Sequence, residues 1–267
     1  MKQRIISAFI GVILLFVVMG TNKIVFDIAV TLISCMAIYE VLSALGLKGH
    51  RTMTSTSLLM PVVIMLMSHF AKENMLAVVF FFLALYLLLM LFFHNSYTFT
   101  DVVKFFTVAV MISLSFIHLS YIRRMDHGII CVFFVFIGSW ITDTCAYFTG
   151  VAIGKHKLAP SISPKKTIEG SVGGILGVTV IITAYAAVCA NIINMKANIP
   201  SVIIIGILCG VLSQFGDLCA SIIKRENSVK DFGNIMPGHG GVMDRFDSFL
   251  FVAPVVYYIL EYFPVFS

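Results

Sequence analysis

An all-α, polytopic integral membrane protein of about nine transmembrane helices is the fold class the sequence predicts, and three observations carry it. Hydrophobic residues make up 60% of the chain and charged residues only 12%, where soluble domains carry about 25% charged. The mean hydropathy is +1.02. The apolar residues gather in runs near about 20 residues, the length that crosses a bilayer. A soluble fold of 267 residues cannot bury that much apolar surface, so the solvent of this chain is lipid. Backbone polar groups in lipid must bond within their own segment, which makes the spans helices.

Nine spans are expected, at about 5–20, 24–45, 57–71, 75–93, 102–122, 128–150, 170–194, 200–223 and 246–264, the third being short and the weakest. The first follows Met-Lys-Gln-Arg and lacks an A-x-A-like cleavage site, so it reads as a retained helix and not a cleaved signal. Nine crossings put the termini on opposite sides. Of the 18 basic residues, all but Lys23, Lys72, Arg123, Arg124 and Lys196 fall on one side. The positive-inside rule makes that side cytoplasmic, with the N-terminus there and the C-terminus outside. The loops 151–169 and 224–245 then both face the cytoplasm.

The net charge of +5 fits this topology and contact with anionic headgroups. Nucleic acid is not an expected partner, because the basic residues sit in short loops and not in a soluble domain. The six cysteines all lie in apolar segments without a Cys-x-x-Cys pair, and read as small buried hydrophobes. No internal repeat or low-complexity linker appears. One continuous membrane domain is expected, with residues 1–127 mainly scaffold and 128–267 catalytic.

The first half is chemically quiet. Asp27 and Glu40 lie near helix ends and read as solvated or hydrogen-bonded structural acids, although an intramembrane acid is by default a functional candidate. His69, His94, His118 and His127 lack ligand spacing and read as interface or packing histidines.

The second half concentrates polar chemistry. On the helix about 128–150, Ser139, Asp143 and Tyr147 follow at four-residue spacing and share a face. Asp143 must face a wet or charged pocket, and a substrate role and a structural hydrogen bond stand level for it. On the helix about 200–223, Ser213, Asp217, Ser221 and Lys224 form one polar stripe, while Gly210 and Gly216 admit a neighbouring backbone. Such a stripe lines a cavity. The last helix begins Asp244-Arg245-Phe246-Asp247-Ser248, with Asp244 and Asp247 three apart at its electropositive N-terminal end. Plain helix capping would explain one acid but not two with an arginine.

Two loops complete the set. Ser163-Pro164-Lys165-Lys166-Thr167-Ile168-Glu169-Gly170 precedes a helix start rich in Gly170, Gly173 and Gly174. It suits an anion at a helix N-terminus, but for the lysines alone the reading as a positive-inside loop with a small-residue packing face is the stronger. The turn Pro237-Gly238-His239-Gly240-Gly241 brings backbone N–H groups close to an oxyanion, and His239 is a candidate for phosphate contact or proton transfer. Together, carboxylates from three helices and lysines at one membrane face suit Mg2+, which bridges one or two carboxylates to substrate phosphates. No ligand set for zinc and no P-loop is present.

The run from Ser221 to Asp247 reads Ser221-x-x-Lys224-Arg225, then Lys230-Asp231-x-Gly233, then Pro237-x-His239-Gly240-Gly241-x-x-Asp244-Arg245-x-Asp247. It resembles the signature of the phosphatidate cytidylyltransferases, the CDP-diacylglycerol synthases. The segments Asp143-Thr144-Cys145-Ala146-Tyr147 and Ser163-Pro164-Lys165-Lys166-Thr167-x-Glu169-Gly170 are similar to that family too, in the same order. The resemblance covers about 130–250 well and the first half only through hydropathy. Met236 departs from the family's usual Leu, Ile or Phe, a volume-conserving change.

The resemblance implies that phosphatidic acid and CTP yield CDP-diacylglycerol and pyrophosphate with Mg2+ required, in the cytoplasmic membrane of a prokaryote. It implies a homodimer and a dinuclear cation site, with K+ a candidate second cation. Asp217 and Asp244 match the family's metal-binding acids. Lys224, Asp247 and His239 join them as candidate catalytic residues. Lys165, Lys166, Arg225, Lys230, Arg245, Ser221, Asp143, Gly240 and Gly241 are candidates for substrate contact. The other readings are a CTP-dependent enzyme acting on another lipid phosphate or isoprenoid lipid and, in a different class, a secondary transporter. Charge gathered at one face and the lack of paired halves weigh against the transporter. A non-catalytic scaffold would leave the acids in the spans unexplained.

Overall fold

The computed structural model describes residues 2–70, 74–236, 238 and 240–266, with side chains from residue 9 onward. Ten helices and one hairpin follow in order. They are α1 (Lys2–Gly20), α2 (Lys23–Ala44), α3 (Arg51–Phe70), α4 (Met75–Phe92), α5 (Phe99–Arg124), α6 (Gly128–Ile153), β1 (Lys157–Ala159), β2 (Ser163–Thr167), α7 (Ile168–Ile192), α8 (Ile199–Glu226), α9 (Met243–Phe246) and α10 (Phe249–Tyr262).

Among the described residues, the seven helices α2 to α8 are long and apolar enough to cross a bilayer. The α1 helix contributes a shorter apolar run, Phe9–Gly20, and α10 has 14 residues. At 1.5 Å per residue α10 measures about 21 Å, less than the roughly 30 Å hydrocarbon core. The α8 helix measures about 42 Å on the same rise, so standing upright it overruns the roughly 30 Å hydrocarbon core.

Two expectations about the elements need correction. The last helix does not run unbroken from Asp244. A four-residue α9 and α10 are separated at Asp247–Ser248, so the two acids do not share one continuous helix. The stretch 151–169 is also not loop throughout. It contains an antiparallel hairpin in which Lys157 pairs with Thr167 and Ala159 with Ser163. Glu169 braces its base, accepting from the Lys155 N–H at 3.1 Å and the His156 N–H at 3.2 Å, with His156 Nδ1 2.6 Å from Oε1.

The chain divides into two compact units. The first comprises Met1–Ser120 and Asn227–Phe246. Asn22 starts α2 by accepting from the Val25 N–H at 2.9 Å. Thr98 and Asp101 form a reciprocal cap at the start of α5, with the Thr98 N–H on Asp101 Oδ2 at 3.0 Å and the Asp101 N–H on Thr98 Oγ1 at 3.2 Å. The α3 and α4 helices are joined by a buried hydrogen bond of 2.6 Å between Ser57 Oγ and Tyr86 OH. Asp27, which is buried, pairs with His69 Nε2 at 3.1 Å. Asp27 therefore has the structural role expected of it, and its partner His69 is exposed near the end of α3, in keeping with the interface reading.

The second unit comprises Tyr121–Glu226 and Asp247–Ser267, built on α6, α7, α8 and α10. Lipid tails are as apolar as leucine, so helices here associate by close packing and not by hydrophobic exclusion. Small residues serve that end. A Cβ added at Gly174 would lie 3.0 Å from Ala146 Cβ and 3.1 Å from the Thr142 carbonyl. The glycines opening α7 thus act as a packing face against α6. Thr167 caps α7 by accepting from the Gly170 N–H at 3.1 Å.

Candidate active site

In the second unit, the stripe on α8 is the foundation. Ser213 is fully buried, and its hydroxyl donates to the Ser139 carbonyl of α6 at 3.2 Å. Its own carbonyl accepts from Ser248 Oγ at 3.1 Å. Gly216 completes the seat, because a Cβ there would lie 2.9 Å from the Asp247 carbonyl oxygen and 3.0 Å from Ser248 Cα. The break between α9 and α10 is thereby held against α8, one residue before Asp217. The expected close approach at Gly216 is what the structure has.

Asp217 forms an ion pair with Lys166 of β2. Successive strand residues point to opposite faces, so Lys166 turns inward to Asp217 while Lys165 is exposed. Lys224 and Asp247 are both buried. Asp247 lies outside every long apolar helix. Burial pushes its carboxyl up to about 7, the negative charge of Asp217 reinforces this, Lys224 opposes it, and Asp143 adds further repulsion. Asp143, Asp217, Asp247 and Lys224 are therefore within electrostatic reach of one another. Asp143 itself is exposed, as is Tyr147 four residues on, whereas Ser139 on the same helix face is buried. Ser221 is half-buried and Arg225 exposed at the end of α8.

In the first unit, the loop 227–246 folds around Asp244. Its Oδ2 accepts from the Phe232 N–H at 2.8 Å and the Gly241 N–H at 2.9 Å. Gly240 has φ +82°, a left-handed conformation that a side chain would strain, and its carbonyl accepts from the Met236 N–H at 3.0 Å. A cavity of about 490 Å3 is lined by Lys230, Asp231, Asn234, Met236, Gly238, Gly240 and Arg245. Two cations, Lys230 and Arg245, stand against one carboxylate, Asp231, so the cavity suits a polar group carrying negative charge. The Gly241 N–H points to Asp244. His239 and Pro237 lie outside the described residues.

Glu40 has the hydrogen-bonded structural role expected of it, with partners far along the chain. It is buried on α2 and accepts from the Val242 N–H at 3.0 Å through Oε1 and from the Met243 N–H at 2.8 Å through Oε2. Its position near a helix end was the one available signal, and nothing local names a partner 202 residues away.

Among the described residues, no three His, Cys, Asp or Glu side chains gather closely enough to hold a metal ion by themselves. Mg2+ seldom needs such a cage, since it keeps waters and shares one or two carboxylates with substrate phosphates. In the second unit Asp217 is paired with Lys166, and Asp217, Asp143 and Lys224 act electrostatically on Asp247, so the acids there offer hard carboxylate oxygens. That donor set fits Mg2+ and does not fit zinc. A cation at Asp217 would displace or share its contact with Lys166.

The chain matches the sequence model of the Cytidylyltransferase family over residues 2–263. It is 35% identical over 273 residues to a phosphatidate cytidylyltransferase of Bacillus subtilis (strain 168), covering 98% of both chains. It is 38% identical over 166 residues to the phosphatidate cytidylyltransferase of Staphylococcus haemolyticus, covering 62% of each. A Staphylococcus aureus (strain COL) protein of the same name is 30% identical over 263 residues, covering 97% of this chain and 99% of that one.

Proposed function

The chain belongs to the cytidylyltransferase family and is a nucleotidyltransferase, and on that premise we propose that it transfers CMP from CTP to phosphatidic acid, giving CDP-diacylglycerol and pyrophosphate. The observation that carries the reading is the cluster of Lys166, Asp217, Lys224 and Asp247 on the apolar bundle of the second unit. A water-soluble nucleotide and a lipid phosphate meet only where charged groups border a bilayer. Near-full-length similarity to proteins named for this reaction supports the choice of substrates.

The chemistry follows from charge. The lipid phosphate is already ionised near neutral pH, so its oxygen needs no strong general base. That oxygen forms a bond to the α-phosphorus of CTP as the bond from the α-phosphorus to the bridging oxygen breaks, and pyrophosphate leaves. Little covalent work falls to the protein, and positioning with electrostatic stabilisation dominates. Lys166 and Lys224 present ammonium groups to incoming phosphates, and Lys166 exchanges Asp217 for a phosphate oxygen. Lys165, Arg225, Lys230 and Arg245 extend the positive field, and the cavity beside Gly240 takes a polar part of the nucleotide. Asp217 and Asp244 are the proposed ligands of Mg2+, which when bound neutralises triphosphate charge and stabilises the leaving group.

The active loops are proposed to face the cytoplasm, with the N-terminus on the same side, and the functional form to be a homodimer. The test uses membranes with Mg2+, labelled CTP and phosphatidic acid, reading CDP-diacylglycerol and pyrophosphate together. Asp217→Asn is expected to abolish both products. Unchanged turnover in that variant would remove Asp217 from the reaction, and pyrophosphate release only with another lipid acceptor would replace the substrate.

A further inference from the structure

We propose that Glu40, in the N-terminal half of the chain, is a positioning residue for the loop that carries Asp244. The proposal rests on the cytidylyltransferase reading for its kinetic readout, and on geometry within the first unit alone. Three consecutive peptide groups are held by two carboxylates. The Gly241 N–H goes to Asp244 Oδ2 at 2.9 Å, the Val242 N–H to Glu40 Oε1 at 3.0 Å, and the Met243 N–H to Glu40 Oε2 at 2.8 Å. Both oxygens of Glu40 are thus engaged, each on its own donor. Hydrogen bonds to a carboxylate are shorter and stronger than neutral ones, and a buried pair of them fixes direction as well as distance.

The loop is also shaped around this side chain. A Cβ at Gly233 or at Gly241 would collide with the Glu40 carboxylate, so glycine at both positions lets the backbone close on it. Glu40 is 3% exposed, which excludes water as a substitute acceptor for the two N–H groups. Asp244 follows Met243 directly. Whatever turns the peptide groups of Val242 and Met243 also turns Asp244 and the Gly240 rim of the cavity. A residue of the quiet half thereby sets the aim of a residue in the charged loop.

Glu40→Gln keeps the volume and removes the match. One amide oxygen still accepts, while the NH2 group opposes an N–H donor. Expected, on the full-length protein in lipid nanodiscs, is a fall of about 100-fold in kcat/KM for CTP, the scale of a misplacement near 1 Å. KM for CTP should rise while KM for phosphatidic acid stays within about two-fold. Glu40→Asp, which keeps the charge but shortens the reach, should recover part of the loss. If the role were only structural, activity would fall with the amount of folded protein and both KM values would hold, which overturns the proposal. Amide hydrogen exchange on the unsubstituted protein decides independently of activity and of whether the variants fold. Slow exchange at Val242 and Met243 supports the clamp, and exchange as fast as at the exposed Asn234 overturns it. A wild-type protein inert with CTP and phosphatidic acid would refute the assigned reaction and leave the exchange result to judge Glu40.

Discussion

Replacing Gly216 by alanine tests the seat of the charged cluster. The new methyl would lie 2.9 Å from the Asp247 carbonyl oxygen, 3.0 Å from Ser248 Cα and 3.3 Å from Phe251 Cδ2. The first two are backbone atoms and cannot swing aside. Relief to ordinary contact needs about half an ångström of separation between α8 and the α9–α10 junction, and overpacking of this kind costs about 1–3 kcal/mol. Alanine recovers about 1 kcal/mol of helix propensity, so the net loss of stability is about 0–2 kcal/mol. Activity should fall further than stability, because the shift moves Asp247 and the Ser248 hydroxyl relative to Asp217, and small displacements near reacting groups cost up to about 100-fold. The assay pairs thermal unfolding in detergent with CMP transfer at saturating CTP. Gly11→Ala is the control: a Cβ there meets nothing within 4 Å, so its melting point should hold or rise. A Gly216→Ala protein with wild-type turnover and melting point would refute the packing argument.

Lys166→Met should lower kcat/KM for CTP by about 100-fold, the usual loss of a charged transition-state contact, while the melting point changes little because the Lys166–Asp217 pair is partly exposed. Asp247 has a raised folded pKa, so the folded state holds its proton where the unfolded chain has lost it. Stability should therefore fall as pH rises from about 4 to about 7, and Asp247→Asn should flatten that slope in melting curves. Glu169→Ala should free the base of the hairpin, seen as faster proteolytic cleavage within 155–167 at an unchanged melting point. A hairpin as resistant as wild type would refute the brace.

The long helices were legible because uninterrupted apolar runs leave lipid few alternatives, and α2 to α8 lie where those runs place them. The α8 stripe was legible from spacing alone, since Ser213, Asp217 and Lys224 need only a helix to align. Contacts between distant residues were not. Lys166 reaches Asp217 because a hairpin turns it inward, and a stretch read simply as a loop predicts no such alternation. The break at Asp247–Ser248 was hidden because Phe249 onward is apolar and Asp244 makes a plausible helix start. At the break the Ser248 hydroxyl donates to the Ser213 carbonyl and the backbone fills the space at Gly216; the sequence marks Gly216 as a place of close approach but not which backbone comes there. Glu40 was hidden for the same reason on a longer scale.

Asp244 also organises the backbone around it. Its Oδ2 gathers the N–H groups of Phe232 and Gly241, so the side chain is a fastener as well as a candidate ligand. Asparagine there would disturb the loop and the cation together, and an inert Asp244→Asn protein would confound two injuries. Asp217 is joined instead to the Lys166 side chain of a separate element. Comparing Asp217→Asn with Asp244→Asn for loop exchange as well as turnover therefore separates a lost ligand from a loosened fold.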